Sequence, residues 1–114
     1  MLSSEHRLTK SVDFRRTIRS GRAIRLETVI VYGRLSSETG EDPKVGITVS
    51  KSVGGSVVRH RVARWIRHAA RDALTDLPQD SAWVIRALPA AGDKGARRQV
   101  RDDVLSGLHE IVGK

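Results

Sequence analysis

A single α+β domain, one sheet with helices packed on it, is what this sequence predicts, and three of its features lead there. Apolar residues recur with a period of about 3.6 in two long stretches, 58–77 and 96–112. Between and before these helical patterns lie β-branched runs of strand length, ETVIVYGRL, KVGITVS and SAWVIRAL. The chain has 114 residues, enough for one core that buries about two-thirds of the unfolded surface.

Residues 1–10 read as an irregular basic lead-in with His6, Arg7 and Lys10. Ser11 is placed to cap a short helix over 12–20, with Asp13 in its first turn and Gly21 as its stop. Phe14 and Ile18 share a face of that helix, surrounded by Arg15, Arg16, Arg19 and Arg22. An aromatic among arginines suits stacking on single-stranded bases; taken alone, Phe14 fits a core position as well.

Residues 27–35 alternate as a strand, with Thr28, Ile30, Tyr32 and Arg34 on one face and Val29, Val31 and Leu35 on the other. The acidic run SSETGEDP reads as a solvated hairpin connection. The next strand, 44–50, is therefore expected to pair antiparallel with the first, turning Val45, Ile47 and Val49 inward. After Gly54-Gly55, Ser56 is the expected N-cap of a helix whose apolar stripe is Val58, Val62, Trp65, Ile66, Ala69, Ala73 and Leu77. Pro78 stops it, 81–88 is a further strand, and PAAGDKGA reads as a flexible loop. The last helix, 96–112, carries Val100, Val104, Leu108 and Ile111 on one stripe, with Asp102, Asp103 and Glu110 as surface charges.

Charge is concentrated in the middle. Residues 44–71 contain no Asp or Glu, and their seven cations, Lys44, Lys51, Arg59, Arg61, Arg64, Arg67 and Arg71, nearly equal the net +8 of the chain. His60, Arg64, Arg67, His68 and Arg71 fall opposite the apolar stripe, with Arg61 on its flank. A first turn favours acids, because its free amides carry partial positive charge. Here Arg59 and Arg61 lie near that end and Lys51 precedes it, a mismatch that a bound anion would relieve. The pI near 11.0 points the same way, to a polyanionic partner. A merely solvated basic face is the bland alternative, and the missing acids weigh against it.

Other chemistries are excluded by what is absent. Without cysteine there is neither a disulfide framework nor a thiolate metal site. No apolar run approaches ~18 residues and the start lacks a secretory core, so a cytoplasmic protein without a membrane partner is expected. His6, His60, His68 and His109 lie too far apart in sequence for a short metal motif. Asp72 and Asp76, one helical turn apart, read as a surface pair rather than an acid–base dyad. No Gly-Lys-Ser/Thr follows Gly54-Gly55 as a phosphate-binding Walker loop would require, and no nucleophile elbow is present. The polypeptide alone is expected to break no covalent bond.

The segments HRLTKSVDFRRTIRSGR and VGITVSKSVGGSVVRHRVARWIR, followed by a strand and a helix, resemble the bacterial ribonuclease P protein component over essentially the whole chain. The resemblance implies the order α-β-β-(β)-α-β-α with a left-handed βαβ crossover, against the usual right-handed rule. It implies a subunit of an endoribonuclease whose catalytic RNA uses Mg²⁺ to remove the 5′ leader of precursor tRNA, the protein holding no tightly bound cofactor. A monomeric protein in a 1:1 complex with the RNA follows from the same likeness.

The likeness makes Lys51, Arg59, Arg61, Arg64 and Arg67 RNA-binding, to which the basic helix face adds His60, His68 and Arg71, and it makes Phe14, Ile18, Arg22 and Tyr32 the lining of a leader cleft. Departures from the family pattern are His60 inside Arg-His-Arg, the turn Gly54-Gly55-Ser56, and Ser52 and Ala63 where cations are common. A ribosomal or general RNA-binding protein of similar fold is the competing reading. A major-groove DNA reader is a third, disfavoured because the basic face offers Arg and His but no Asn, Gln, Ser or Thr for base edges.

Overall fold

The computed structural model describes residues 7–8, 11–35 and 42–113. The expectations for most of the lead-in, and for the acidic connection up to Glu41, fall outside them. The elements are α1 (Ser11–Ser20), β1 (Arg22–Arg25), β2 (Val29–Arg34), β3 (Lys44–Thr48), α2 (Ser56–Ala73), β4 (Ala82–Ala87) and α3 (Arg97–Val112).

The four strands form one mixed sheet in the order β1-β2-β4-β3. β4 runs antiparallel to β2 and parallel to β3. The expected β2–β3 hairpin is thus corrected, because β4 lies between them. The cause is hydrophobicity: Ala82, Trp83, Val84 and Ile85 are all buried, so β4 needs cover on both faces and takes a central place. Sequence neighbours pair only when no more apolar strand claims the position. β1, which the residue pattern did not mark but for which the implied order α-β-β-(β)-α-β-α left room, is a four-residue edge strand antiparallel to β2. Its RAIR has no alternating apolar signal, and three of its four residues are exposed.

Register assigns the faces. Val31 stands opposite Ile85 and Ile85 beside Ile47, while Trp83 joins Gly33 and Val45 on the same side. This side meets α2 through Val62, Ile66, Ala69 and Ala73 and α3 through Val100, Val104, Leu108 and Ile111, all buried. Each larger member contributes about 1.5–3 kcal/mol by leaving water. Glycine permits the closest approaches. The Trp83 ring lies against Gly33, and a Cβ on Gly107 of α3 would come within 2.6 Å of Val31. Trp83 Nε1–H donates to Ser81 Oγ at 2.8 Å, so the indole is buried without an orphaned donor.

The opposite side of the sheet carries α1. Gly21 ends that helix by donating to the Thr17 carbonyl at 3.0 Å, and a Cβ there would meet the Gly33 carbonyl oxygen at 2.6 Å. The glycine therefore stops the helix and lets it sit down on β2.

Three further expectations change. The N-cap of α2 is Gly55, with no side-chain cap, and Ser56 is already the first helical residue. Gly54 before it has φ +157°, and a Cβ there would touch Val58. The presumed flexible loop holds two short 3₁₀ turns, Pro89–Gly92 and Lys94–Ala96, pinned by buried Ala91 and Ala96. Asp103 is no surface charge: it is buried and accepts from the Thr28 N–H at 2.9 Å, Thr28 Oγ1–H at 2.6 Å and Gln99 Nε2–H at 2.8 Å. Asp72 and Asp76 are surface groups, bonded to Arg101 at 2.9 Å and His109 at 3.2 Å.

Candidate nucleic-acid interface

α2 is buried along one stripe and open along the rest. Val62, Ile66, Ala69, Ala70 and Ala73 face the core, while His60, Arg64, His68 and Arg71 are exposed and Arg59, Arg61 and Arg67 half-buried. At about 100° per residue the charged positions wrap more than half of the helix circumference. Among the described residues no carboxylate pairs with Arg59, Arg61, Arg64 or Arg67; Arg71 has Asp72 at 3.9 Å. The cations of this helix are thus largely unspent, on one surface.

Arg61 is partly committed. One terminal N–H donates to the Gly92 carbonyl at 3.1 Å, and the guanidinium lies 5.2 Å from the centre of the Trp65 ring. It ties α2 to the turn before α3. Arg59 keeps a buried Nε–H without an acceptor, a donor whose cost a bound oxygen would remove.

On the side of α2 toward β3 runs a groove. One segment, about 150 Å³, is lined by Arg7, Leu8, Phe14, Gly46, Ile47 and Arg67 among others. The next, about 240 Å³, is lined by Ile47, Val49, Arg59, His60, Ala63 and Arg67 among others. Ile47 and Arg67 belong to both, which makes the two segments one path. The Phe14 ring lies directly on Gly46, so the glycine creates the shelf on which the aromatic is held, half-buried, at the groove. The Leu8 N–H, bonded to the Val45 carbonyl at 3.0 Å, extends the sheet edge beneath it.

The candidate cleft residues divide. Phe14 lies in the groove. Tyr32 is on the same side of the sheet, in the cross-strand row Tyr32–Val84–Gly46, about 10 Å from Gly46 at two strand spacings. Ile18 is exposed on α1. Arg22 is not brought to the groove: on β1 it stands opposite Gly33 and, with Ala23, Ile24 and Ile111, borders a depression on the α3 side. Lys51 is exposed in the turn before α2. Sequence reasoning did not single out Ile47, Val49 and Gly46 as groove floor; an isolated glycine inside a strand was the available signal.

The site's chemistry is electrostatic. His68 is held below its ordinary pKa of 6.5, first by lost hydration, then by the positive charge of Arg71 and Arg64, with Asp72 opposing. Among the described residues no three His, Asp or Glu side chains gather as a metal site, and none of the described helices is long and apolar enough to cross a membrane. The arrangement offers guanidinium forks for phosphate and one aromatic shelf for a base.

A profile of the family described as Ribonuclease P matches residues 2–112. The chain is 46% identical over 99 residues to the ribonuclease P protein component of Mycolicibacterium gilvum, covering 86% of this chain and 80% of that one. Over 120 aligned positions it is 41% identical to the Streptomyces griseus component, with 99% and 97% covered. In fold it is similar to the Staphylococcus aureus RNase P protein, with a TM-score of 0.76 over 93% of this chain and 94% of that one at 24% identity. The Thermotoga maritima RNase P protein gives 0.77 over 92% and 96%, also at 24% identity.

Proposed function

We propose, on the premise that this chain belongs to the bacterial ribonuclease P protein family, that its α2 face docks on the catalytic RNA while the groove over β3 holds the single-stranded leader. Membership makes it the non-catalytic protein subunit of ribonuclease P, which assists RNA-catalysed removal of the 5′ leader from precursor tRNA. The division of labour between surfaces is our reading. It rests on one observation: the groove with Phe14 and Arg67 opens beside a helix face on which Arg59, Arg61, Arg64 and Arg67 have no carboxylate partner among the described residues.

In this reading His60, Arg64, His68 and Arg71 meet the catalytic RNA, with Lys51 and Arg61 at the helix start. Arg67 and Arg59 take leader phosphates, Phe14 stacks on a leader base, and Tyr32 extends the platform. Ile18 flanks the entrance on α1, and Arg22 stands apart on β1. Mg²⁺ serves the RNA's hydrolytic chemistry. The chain's own contribution is to lower the repulsion between two polyanions and to orient the leader. It acts as one protein per RNA, in the cytoplasm.

Reconstitution with the cognate RNA at low Mg²⁺ tests the assignment. Phe14→Ala should weaken precursor binding relative to mature tRNA by about 1–3 kcal/mol. Arg64→Ala should instead weaken binding to the catalytic RNA and flatten its salt slope by about 0.7–0.9. Equal losses for precursor and mature tRNA on replacing Phe14 would return that ring to a purely structural role.

A further inference from the structure

On the far side of α2 from the leader groove lies a second, larger groove of about 750 Å³, between α2 and the start of α3. Trp65 lines this one and Arg67 the other. Two residues along a helix are about 200° around it, so α2 is a ridge with a groove on each flank. The α3 wall supplies Lys94, Arg97, Arg98 and Arg101, and the α2 wall His68 and Arg71.

Two carboxylates, Asp72 and Asp102, also line the groove. Asp72 is occupied, with Arg101 at 2.9 Å and Arg71 at 3.9 Å, the former a bridge from one helix to the other. Lys94, Arg97 and Arg98 are exposed and have no carboxylate partner among the described residues. Arg97 and Arg98 also open α3, whose first turn contains no acid to offset them, where cations are unfavourable by some tenths of a kcal/mol. Nothing in folding explains three such cations beside a half-buried indole that Arg61 already stacks upon.

We infer that this groove is a second seat for the catalytic RNA, taking a stretch of its phosphate backbone on Lys94, Arg97 and Arg98. The inference rests on the docking reading above. The exposed α2 face carrying Arg64, His68 and Arg71 runs into this groove without interruption, so an RNA lying on that face continues into it. The leader, on the other flank, is kept apart by the ridge. The partner is a backbone rather than a base sequence, because the unspent groups are cations and not amide or hydroxyl readers.

The test compares two variants of the full chain bound to the cognate catalytic RNA. Lys94→Ala/Arg97→Ala/Arg98→Ala should not lower the unfolding midpoint, should weaken RNA binding, and should lower the salt slope by about 2–2.7 for three lost phosphate contacts. The holoenzyme assembled at saturating variant should keep its preference for precursor over mature tRNA. Arg64→Ala is the companion variant. If Arg64→Ala weakens binding while the triple variant leaves affinity and slope unchanged, the second seat is refuted and the docking reading stands. If Arg64→Ala has no effect on catalytic-RNA binding, the docking reading itself fails. A triple variant that loses only the precursor preference would place the leader here and overturn the inference. Hydroxyl-radical footprints provide a second measure, since the triple variant should unprotect a segment of the RNA that Arg64→Ala leaves protected.

Discussion

Asp103 joins the entry of β2 to α3 with both carboxylate oxygens engaged, one by the Thr28 amide and hydroxyl, the other by Gln99. Removing the carboxylate strands both donors of buried Thr28, whereas exposed Gln99 can turn to water. Asp103→Ala should therefore lower stability by about 2–4 kcal/mol in a urea titration, with the slope of the transition unchanged. Asp103→Asn, which still accepts from Thr28, should recover part of the loss. The letters put Asp103 nearer the apolar stripe than Asp102, which lies about 100° further round the helix, but a flank position alone does not mark a carboxylate as buried. The apolar stripe located the core side of α3, yet the Thr28 donors that draw Asp103 inward are 75 residues away in sequence. Phe14 is the converse case. Its sequence context allowed stacking but, taken alone, favoured the core, and the structure places the ring half-buried on Gly46, with one side packed and one side at the groove.

Elements were legible where a period was strong. The stripes of α2 and α3 and the alternation in β2 come from local residue order, and the core uses them as read. Pairing was not legible, because β4 belongs between β2 and β3 by virtue of its apolarity and arrives only after α2 has crossed over. β1, a short polar edge, left no local signal and was allowed for only by the family order. The same distinction between local pattern and remote partner governs Arg61. Its place near the start of α2 marks it for RNA, while its bond to Gly92 and its stack on Trp65 give it a structural task. Arg61→Ala should cost about 1–2 kcal/mol of stability by thermal unfolding, and lower the RNA salt slope by less than one full contact. Unchanged stability with a full-contact fall in slope would make Arg61 a phosphate ligand like its neighbours.

Taken as a whole, the molecule is a scaffold that gathers uncompensated cations around one helix, and that field acts on its own titrating groups. His68 sits between Arg64 and Arg71 on α2, with Asp72 opposing, and faces the groove whose other wall carries Lys94, Arg97 and Arg98. Its pKa in the folded protein lies below 6.5. The unfolded chain binds a proton there more readily, so the free protein loses stability as pH falls through 6.5 toward the folded pKa. On the docking reading the sign should reverse. Phosphate on the two arginines should remove their part of the depression and raise the His68 pKa, so that binding takes up a proton and affinity for the catalytic RNA rises as pH falls through the same range. Two opposite slopes from one imidazole are a demanding signature. His68→Gln should flatten both, in unfolding measured without RNA and in binding measured at fixed salt. If His68→Gln leaves the pH dependence of RNA binding as it was, then RNA phosphate does not reach that part of the ridge.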